Sequence, residues 1–207
     1  MVKYVPQSHE ILTAIDGNEV LKRIEEAGRI CYKSEDMIAA DSHIRFAKMI
    51  VGREHFSVIE HVNVTVKFVT NRGVTHELVR HRTASYSQES TRYCNYAKGK
   101  FDGEIAVIDQ RDLFADPAHY KLWKDAMAEA ERAYMDLIEH GVSPQVARGV
   151  LPTDLKTEII VTANLREWRH ILELRTSEAA HPNIRALMKG LLADFKQKIP
   201  VIFDDIE

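Results

Sequence analysis

Residues 61–70 read His-Val-Asn-Val-Thr-Val-Lys-Phe-Val-Thr, and this stretch decides what kind of fold the chain can form. The apolar residues Val62, Val64, Val66 and Phe68 occupy every second position and alternate with polar ones. A period of two is typical of a β-strand with one buried face. The stretch therefore predicts a strand that packs one side against a core, before Asn71-Arg72-Gly73 turns the chain.

Outward from this strand, most of the apolar residues recur at helical spacing. Helices are predicted after Asn18 as the cap, from Ser42, over 75–82, from Asp116-Pro117 to Gly141, from Ser143-Pro144, after Asn164, and from Pro182 to Ile199. Further strands are predicted over 2–5, 105–108 and 157–163. Because this order is not a regular βαβ alternation, we predict a mixed α/β (α+β) fold. In it, helices pack around a central, mostly antiparallel sheet in a single domain over residues 1–207.

The composition limits the kinds of partner. The chain is 45% hydrophobic and 29% charged, as in soluble globular proteins, and its formal net charge is −3. It therefore has no global basic field that would draw it to nucleic acid or to a membrane. Cys31 and Cys94 form no CxxC pair, and neither a signal-peptide core nor an apolar run of membrane-spanning length is visible. We predict a cytoplasmic protein.

The segment from Arg80 to Tyr93 is the first candidate for chemistry. It reads Arg-His-Arg-Thr-Ala-Ser-Tyr-Ser-Gln-Glu-Ser-Thr-Arg-Tyr and combines arginines with hydroxyl side chains, the groups that hold phosphate oxygens. Neither GxGxxG nor GxxxxGK occurs in the chain, so any phosphate would be held mainly by side chains. Two alternatives stay open: a solvated polar loop, and Ser90 as a nucleophile, although no GxSxG elbow surrounds it.

Two further clusters stand out. The first contains several histidines and one glutamate: His55, Glu60, His61, His76 and His81. No zinc-helix spacing or HExxH relates them, so structural or hydrogen-bonding roles are favoured and no metal is predicted. The second contains Arg148, which stands among the apolar residues Val146, Ala147, Val150 and Leu151, an unfavourable setting for a surface arginine.

Four ordered blocks together resemble the flavin-dependent thymidylate synthase family. The family signature is Arg-His-Arg, seven residues and Ser, which Arg80-His81-Arg82 and Ser90 match. The other blocks are His55-x-Ser57-Val-Ile-Glu60-His61, Val146-Ala-Arg148 with Leu151-Pro152, and Asn164-Leu-Arg166 with Leu172-Glu-Leu-Arg175. The similarity spans about residues 52–185.

This resemblance implies an enzyme, a methyltransferase that converts dUMP to dTMP. It implies FAD as cofactor, NADPH and 5,10-methylenetetrahydrofolate as co-substrates, no cysteine nucleophile, and a homotetramer whose sites are shared between subunits. The implied FAD-binding residues are His55, Ser57, Arg80, His81, Arg82, Gln88, Asn164, Arg166 and His170. The implied dUMP-binding residues are Glu77, Leu78, Val79, Arg80, Gln88, Glu89, Ser90, Thr91, Arg92, Arg148 and Arg175.

Within these sets, Arg175 is the implied catalytic residue, Ser90 is a phosphate ligand, and either Gln88 or Glu89 makes the polar contact usual in the family. The sequence also leaves two rival functions. One is a module for RNA or single-stranded DNA, built from the tyrosines and basic residues Tyr86, Tyr93, Tyr96, Arg92, Lys98 and Lys100. The other is a metal-dependent phosphohydrolase that uses the histidines and Glu60.

Overall fold

The structure is a computed structural model that describes residues 1–207, apart from the side chain of Lys100, which lies outside the described part. Its strands are β1 (Lys3–Val5), β2 (Ser8–Ile11), β3 (Asn63–Asn71), β4 (Ala84–Gln88), β5 (Ala106–Ile108) and β6 (Lys156–Asn164). Its α-helices are α1 (Gly17–Tyr32), α2 (Ser42–Gly52), α3 (Arg72–Leu78), α4 (Pro117–Glu139), α5 (Pro144–Ala147), α6 (Leu165–Thr176) and α7 (Pro182–Lys198). Short 3-10 turns cover Glu35–Met37, Phe56–His61, Gly99–Phe101, Arg111–Leu113 and Arg148–Val150.

The strands form two sheets. β2, β3, β6 and β4 lie side by side in that order in an antiparallel four-stranded sheet, and β1 pairs in parallel with β5. The predicted alternation in β3 is confirmed, because Val64, Val66 and Phe68 are all buried. The predicted fold class, helices with a mostly antiparallel sheet, is therefore confirmed.

The chain divides into two compact units. The first comprises Met1–Ser8, Phe68–Arg80 and Ser87–Ile160, and the second comprises His9–Lys67, His81–Tyr86 and Val161–Glu207. The prediction of a single domain over 1–207 stays a prediction. In the described residues no helix combines the length and the apolar run needed to cross a bilayer.

The core of the first unit forms around α4 and the parallel strand pair. Tyr134 and Met127 of α4 pack with Ile105, Val107 and other buried side chains. Asp116 caps α4 by accepting a hydrogen bond from the backbone N–H of Ala118 at 2.7 Å, and Pro117 occupies the first turn. The predicted cap and proline pair of α4 is thus confirmed.

The core of the second unit contains α1, α2, α6 and α7. Trp168 of α6 is fully buried, its ring edge meets Phe195 of α7 at 5.6 Å, and its indole N–H donates to the Val64 carbonyl at 2.9 Å. Asn164 caps α6 by accepting from the backbone N–H of Glu167 at 2.9 Å, as its sequence pattern predicts.

Three local predictions differ from the structure. Asp16, and not Asn18, caps α1, since its carboxylate accepts from the backbone N–H groups of Asn18 and Glu19. α3 covers Arg72–Leu78 and not 75–82, because the Asn71 side chain caps it at Val74, so the predicted turn at 71–73 is the start of this helix. The arginine-rich segment contains β4, which the sequence did not indicate because Ala84–Gln88 has almost no apolar side chains.

Gly28 sets how closely α1 can approach α2. A Cβ atom at this position would lie 2.5 Å from two ring carbons of Phe46, whereas one at Gly52, the last residue of α2, would have no neighbour within 4 Å. We expect Gly28→Ala to lower the free energy of unfolding by about 1–3 kcal/mol through overpacking, as measured by urea denaturation. Gly52→Ala is the matched control, and equal stability of both variants would contradict the close approach.

Candidate functional site

A cavity of about 420 Å³ in the second unit brings together three of the predicted flavin-binding residues. Its lining consists of Phe56, Glu60, Thr83, Asn164, Arg166, Glu167, Arg169, His170 and Glu173. Asn164 lies at the N-terminus of α6, and α6 carries Arg166 and His170 on successive turns. A volume of this size falls within the range of roughly 300–1,000 Å³ that is usual for small-molecule sites.

The charges of this cavity are largely balanced. The Arg166 guanidinium binds the Glu60 carboxylate at 2.6 Å, and Arg169 binds Glu173 at 3.3 Å. Arg169 is buried, contacts the Asp205 carboxylate with two nitrogens and also donates to the Ile202 carbonyl. Among the described atoms its Nε is buried without a hydrogen-bond partner. The cavity therefore suits an uncharged polar ring better than a phosphate group.

His81 and Arg175, two of the predicted site residues, form a direct side-chain hydrogen bond. The Nε of Arg175 donates to the Nε2 of His81 at 3.0 Å. Because a guanidinium can only donate, Nε2 must carry the lone pair, and the proton of the neutral ring lies on Nδ1. Nδ1 lies 3.8 Å from a carboxylate oxygen of Glu167. His81 thus fixes the direction of the Arg175 side chain.

The surroundings of His81 keep its ring uncharged. Burial, with the positive charge of Arg175 and the nearby His170, lowers the pKa of His81 from 6.5 to about 4. The His170 ring meets the His81 ring edge-on at 5.6 Å. Tyr86 donates its hydroxyl to the His81 carbonyl at 2.6 Å, and burial raises the pKa of that hydroxyl to about 12.

The remaining predicted flavin-binding residues of this unit are exposed. His55 and Ser57 lie at the start of the 3-10 turn Phe56–His61, and His55 Nδ1 lies 3.1 Å from the Tyr32 hydroxyl. Arg82 is exposed to solvent. None of these three residues lines the cavity of the second unit.

A second cavity, of about 260 Å³, lies in the first unit and contains two of the predicted dUMP-binding residues, Thr91 and Arg148. Its lining consists of Arg72, His76, Thr91, Arg148, Gly149, Leu151, Pro152 and Thr153. Arg148 Nη1 donates to the buried hydroxyl of Thr91 at 3.2 Å. Arg148 itself is exposed, and so are its neighbours Val146 and Val150, so the expectation of an apolar setting is wrong.

The Asp154 carboxylate holds the loop beside this cavity in place. It accepts hydrogen bonds from the Asn71 amide at 2.8 Å, the Gln110 amide at 3.0 Å and the Trp123 indole at 2.8 Å. Asn71 caps α3 and Trp123 belongs to α4. One carboxylate therefore joins the start of α3, the body of α4 and the beginning of β6.

Gln88 and Glu89 are both engaged inside the first unit. The Gln88 amide donates to Thr75 at 2.9 Å. The Glu89 carboxylate accepts from the Tyr96 hydroxyl at 3.2 Å and lies 3.4 Å from the Lys156 ammonium. Burial and the Glu89 charge raise the pKa of Tyr96 above its ordinary value. Neither side chain lines the Arg148 cavity.

The other predicted nucleotide-binding residues differ in exposure. The side chain of Leu78 is fully buried, so any ligand contact of this residue would involve its backbone. Val79, Arg80 and Arg92 are exposed, and Glu77 and Ser90 are half-buried. The Ser90 hydroxyl accepts from the backbone N–H of Arg92 at 3.3 Å and orders the turn after β4.

Sequence reasoning missed several residues that line the two cavities. Glu167, Arg169 and Glu173 follow the recognised Asn164-Leu-Arg166 block on α6, and the helical spacing of that block was the signal that would have found them. Arg72 lies in a stretch that the sequence indicated only as a turn, whereas the structure makes it the first residue of α3, four residues before His76. Among the described residues no group of three or more His, Cys, Asp or Glu side chains is arranged to hold a metal ion.

The arginine and histidine clusters in both units are typical of a protein that binds anionic or nucleotide ligands. The sequence model of the thymidylate synthase complementing protein family matches residues 13–201. Flavin-dependent thymidylate synthase of Mycolicibacterium gilvum is 34% identical over 221 aligned residues, which cover 98% of this chain and 85% of that protein. The enzyme of the same name from Mycobacterium bovis is 34% identical and covers 94% and 82% respectively.

This chain therefore belongs to the flavin-dependent thymidylate synthase family. A solved structure with the same fold is that of PolB, a UMP/dUMP methylase from Streptomyces cacaoi bound with 5-Br dUMP. Its TM-score is 0.79 at 22% identity, with 98% of this chain and 95% of that chain covered.

The low pKa of His81 predicts a loss of stability in mild acid. Between pH 6.5 and about 4 the unfolded chain binds a proton that folded His81 does not bind. As the pH is lowered through this window, and only there, the free energy of unfolding should fall by up to roughly 1 kcal/mol per pH unit.

Chemical denaturation across this pH range measures the effect. His81→Gln should remove this part of the dependence, whereas His119→Gln on the exposed surface of α4 should keep it. An unchanged dependence in His81→Gln would show that other groups cause it.

Proposed function

We propose that the protein catalyses the reductive methylation of dUMP to dTMP, with FAD as its flavin. NADPH is the reductant and 5,10-methylenetetrahydrofolate the carbon donor in this proposal. Membership of the family supports it, as does the neutral His81 that holds Arg175. The cytoplasmic location predicted from the sequence stays a prediction.

The cavity of the second unit fits part of a flavin. Asn164, Arg166 and His170 offer donors and acceptors around it, and Phe56 offers an aromatic wall. Two of its acidic side chains, Glu60 and Glu173, already have arginine partners. These residues, with His55, Ser57, Arg80, His81, Arg82 and Gln88, would hold FAD in this proposal. When bound, the flavin supplies the hydride chemistry, and the protein supplies binding, orientation and electrostatics.

Arg175 acts on the substrate by its charge. Because the Arg175 Nε donates to neutral His81, the guanidinium is already oriented. It therefore needs little reorganisation when negative charge develops next to it. Placed against the pyrimidine, it would favour the ionised uracil ring and make C5 more nucleophilic. Protonation of His81 would remove the acceptor and release Arg175, and burial keeps the ring unprotonated between pH 6.5 and about 4.

The remaining dUMP contacts come from α3, from the segment after β4 and from the 3-10 turn after α5. In this proposal Ser90, Thr91, Arg92 and Arg148 bind the phosphate and sugar, and Arg148 is already oriented by Thr91. Glu77, Leu78, Val79, Arg80, Gln88 and Glu89 complete the set. Gln88 and Glu89 also bind protein groups, so they hold β4 and the following turn in place as well.

No cysteine attacks the substrate in this proposal. Cys31 is exposed near the end of α1, and Cys94 is half-buried against the core of the first unit. The charge of Arg175 activates the ring in place of a covalent adduct. Replacement of both cysteines by serine would then leave turnover largely intact, in contrast to replacement of Arg175.

The test is dTMP formation by the flavin-loaded protein with dUMP, NADPH and 5,10-methylenetetrahydrofolate. Arg175→Ala should lower turnover at saturating dUMP by about 10²–10³-fold, because one positioned electrostatic group is lost. Arg175→Lys should recover part of this loss, and the exposed Arg23→Gln on α1 is the charge-matched control.

Different results test the activity and the role of Arg175. Absence of dTMP with the wild-type protein would reject the activity. Full turnover in Arg175→Ala at saturating dUMP would reject only the role of Arg175. Flavin content, read from the visible spectrum, shows whether each variant still binds its cofactor.

We also propose a homotetramer with shared sites, supported by exposed apolar side chains around the end of α1. Ile30 is 59% and Met37 62% exposed, and Tyr32 and Ile38 lie beside them in sequence and are exposed too. Exposed apolar patches are typical of interaction surfaces. Tyr32 also contacts His55, which links this surface to the predicted flavin-binding residues.

Ile30→Glu should therefore reduce the molecular mass in solution below that of a tetramer, as measured by light scattering. Leu122→Glu on α4, at a side chain that is 67% exposed, is the matched control and should keep the wild-type mass. A monomeric wild-type protein, or an unchanged mass in Ile30→Glu, would contradict this role of the surface.

A further inference from the structure

The cavity of the first unit contains two basic side chains that belong to no recognised motif. Arg72 and His76 are four residues apart on α3, so they share one face of the helix. The other face is buried through Val74, Thr75 and Leu78. Arg72 and His76 therefore point to the same cavity that Arg148 and Thr91 line.

This cavity concentrates positive charge without a neutralising acid. Its lining includes two arginines and a histidine but no carboxylate. In the described part of the chain neither Arg72 nor Arg148 forms an ion pair, and the one side-chain hydrogen bond of Arg72, to the Glu89 carbonyl, is long at 3.4 Å. The Glu89 carboxylate is engaged with Tyr96 and Lys156. The half-buried Arg72 guanidinium, which has no carboxylate partner among the described residues, therefore favours an anion as its ligand.

Backbone hydrogen bonds hold the walls of the cavity in position. The Gly73 N–H donates to the Thr153 carbonyl at 3.1 Å, and the Arg72 N–H donates to the Leu155 carbonyl at 3.2 Å. The Asn71 amide binds Asp154 at 2.8 Å next to them. The basic groups are thus arranged before any ligand arrives, which lowers the entropy cost of binding.

We propose that Arg72 and His76 bind the phosphate group of the nucleotide substrate together with Arg148 and Thr91. The identity of that nucleotide rests on the proposed function. Two planar guanidinium groups can each hold a phosphate with paired hydrogen bonds, and the Thr91 hydroxyl and His76 ring add single contacts. Arg72 and His76 thereby select a phosphorylated nucleoside over the free nucleoside.

The experiment measures dUMP binding by isothermal titration and inhibition of turnover by inorganic phosphate, on the flavin-loaded protein. Arg72→Gln should raise the Kd for dUMP and the inhibition constant of phosphate by the same factor, about tenfold to a hundredfold. His76→Gln should raise both by a smaller factor, and Arg72→Lys should recover part of the loss.

The controls separate binding from structure. Arg23→Gln removes the same charge at an exposed position of α1 and should match the wild type. A purely structural role of Arg72 would lower the melting temperature without changing phosphate inhibition. His76 is exposed, so its variant tests the proposal even if Arg72→Gln folds poorly.

Three results would overturn the inference: no inhibition of the wild type by phosphate, a Kd for dUMP within twofold of wild type in both variants, or a changed Kd with unchanged phosphate inhibition. Failure of the proposed function is distinguishable. A wild-type protein that binds dUMP and phosphate but makes no dTMP would reject the activity and leave the phosphate site standing.

Discussion

The first unit depends on the hydrogen bonds that the Asp154 carboxylate accepts. Its three donors come from Asn71, Gln110 and Trp123, in segments far apart in sequence. Loss of this acceptor would leave three polar groups in need of new partners, and each unsatisfied group costs about 1–3 kcal/mol when buried. Because Asn71 also caps α3, the same carboxylate determines where that helix begins and hence where Arg72 points.

In the second unit the corresponding constraint is the choice of tautomer at His81. A ring that accepts from Arg175 cannot also carry a proton at that nitrogen, so the position of one proton determines the direction of the guanidinium. Burial enforces this choice, since it disfavours the charged ring. The structure thus places the Arg175 guanidinium against an uncharged histidine ring.

The sequence predicted elements whose signals are local. The alternation in 62–68, the Asp116-Pro117 start of α4 and the Asn164 cap of α6 depend on nearest neighbours, and all three are confirmed. β4 was missed because a polar strand gains its stability from neighbouring strands, which sequence spacing does not reveal. For the same reason the motifs named Arg148 and Arg175 but not Arg72, which enters its cavity through tertiary packing.

The two tryptophans give the molecule one optical reporter in each unit. Trp123 belongs to the first unit and donates to Asp154, whereas Trp168 belongs to the second and donates to the Val64 carbonyl. Their indole groups occupy different surroundings, one half-buried beside Tyr120 and the other fully enclosed. Single-tryptophan proteins would therefore show by fluorescence whether the units unfold together or one after the other, and so whether the chain behaves as one cooperative body.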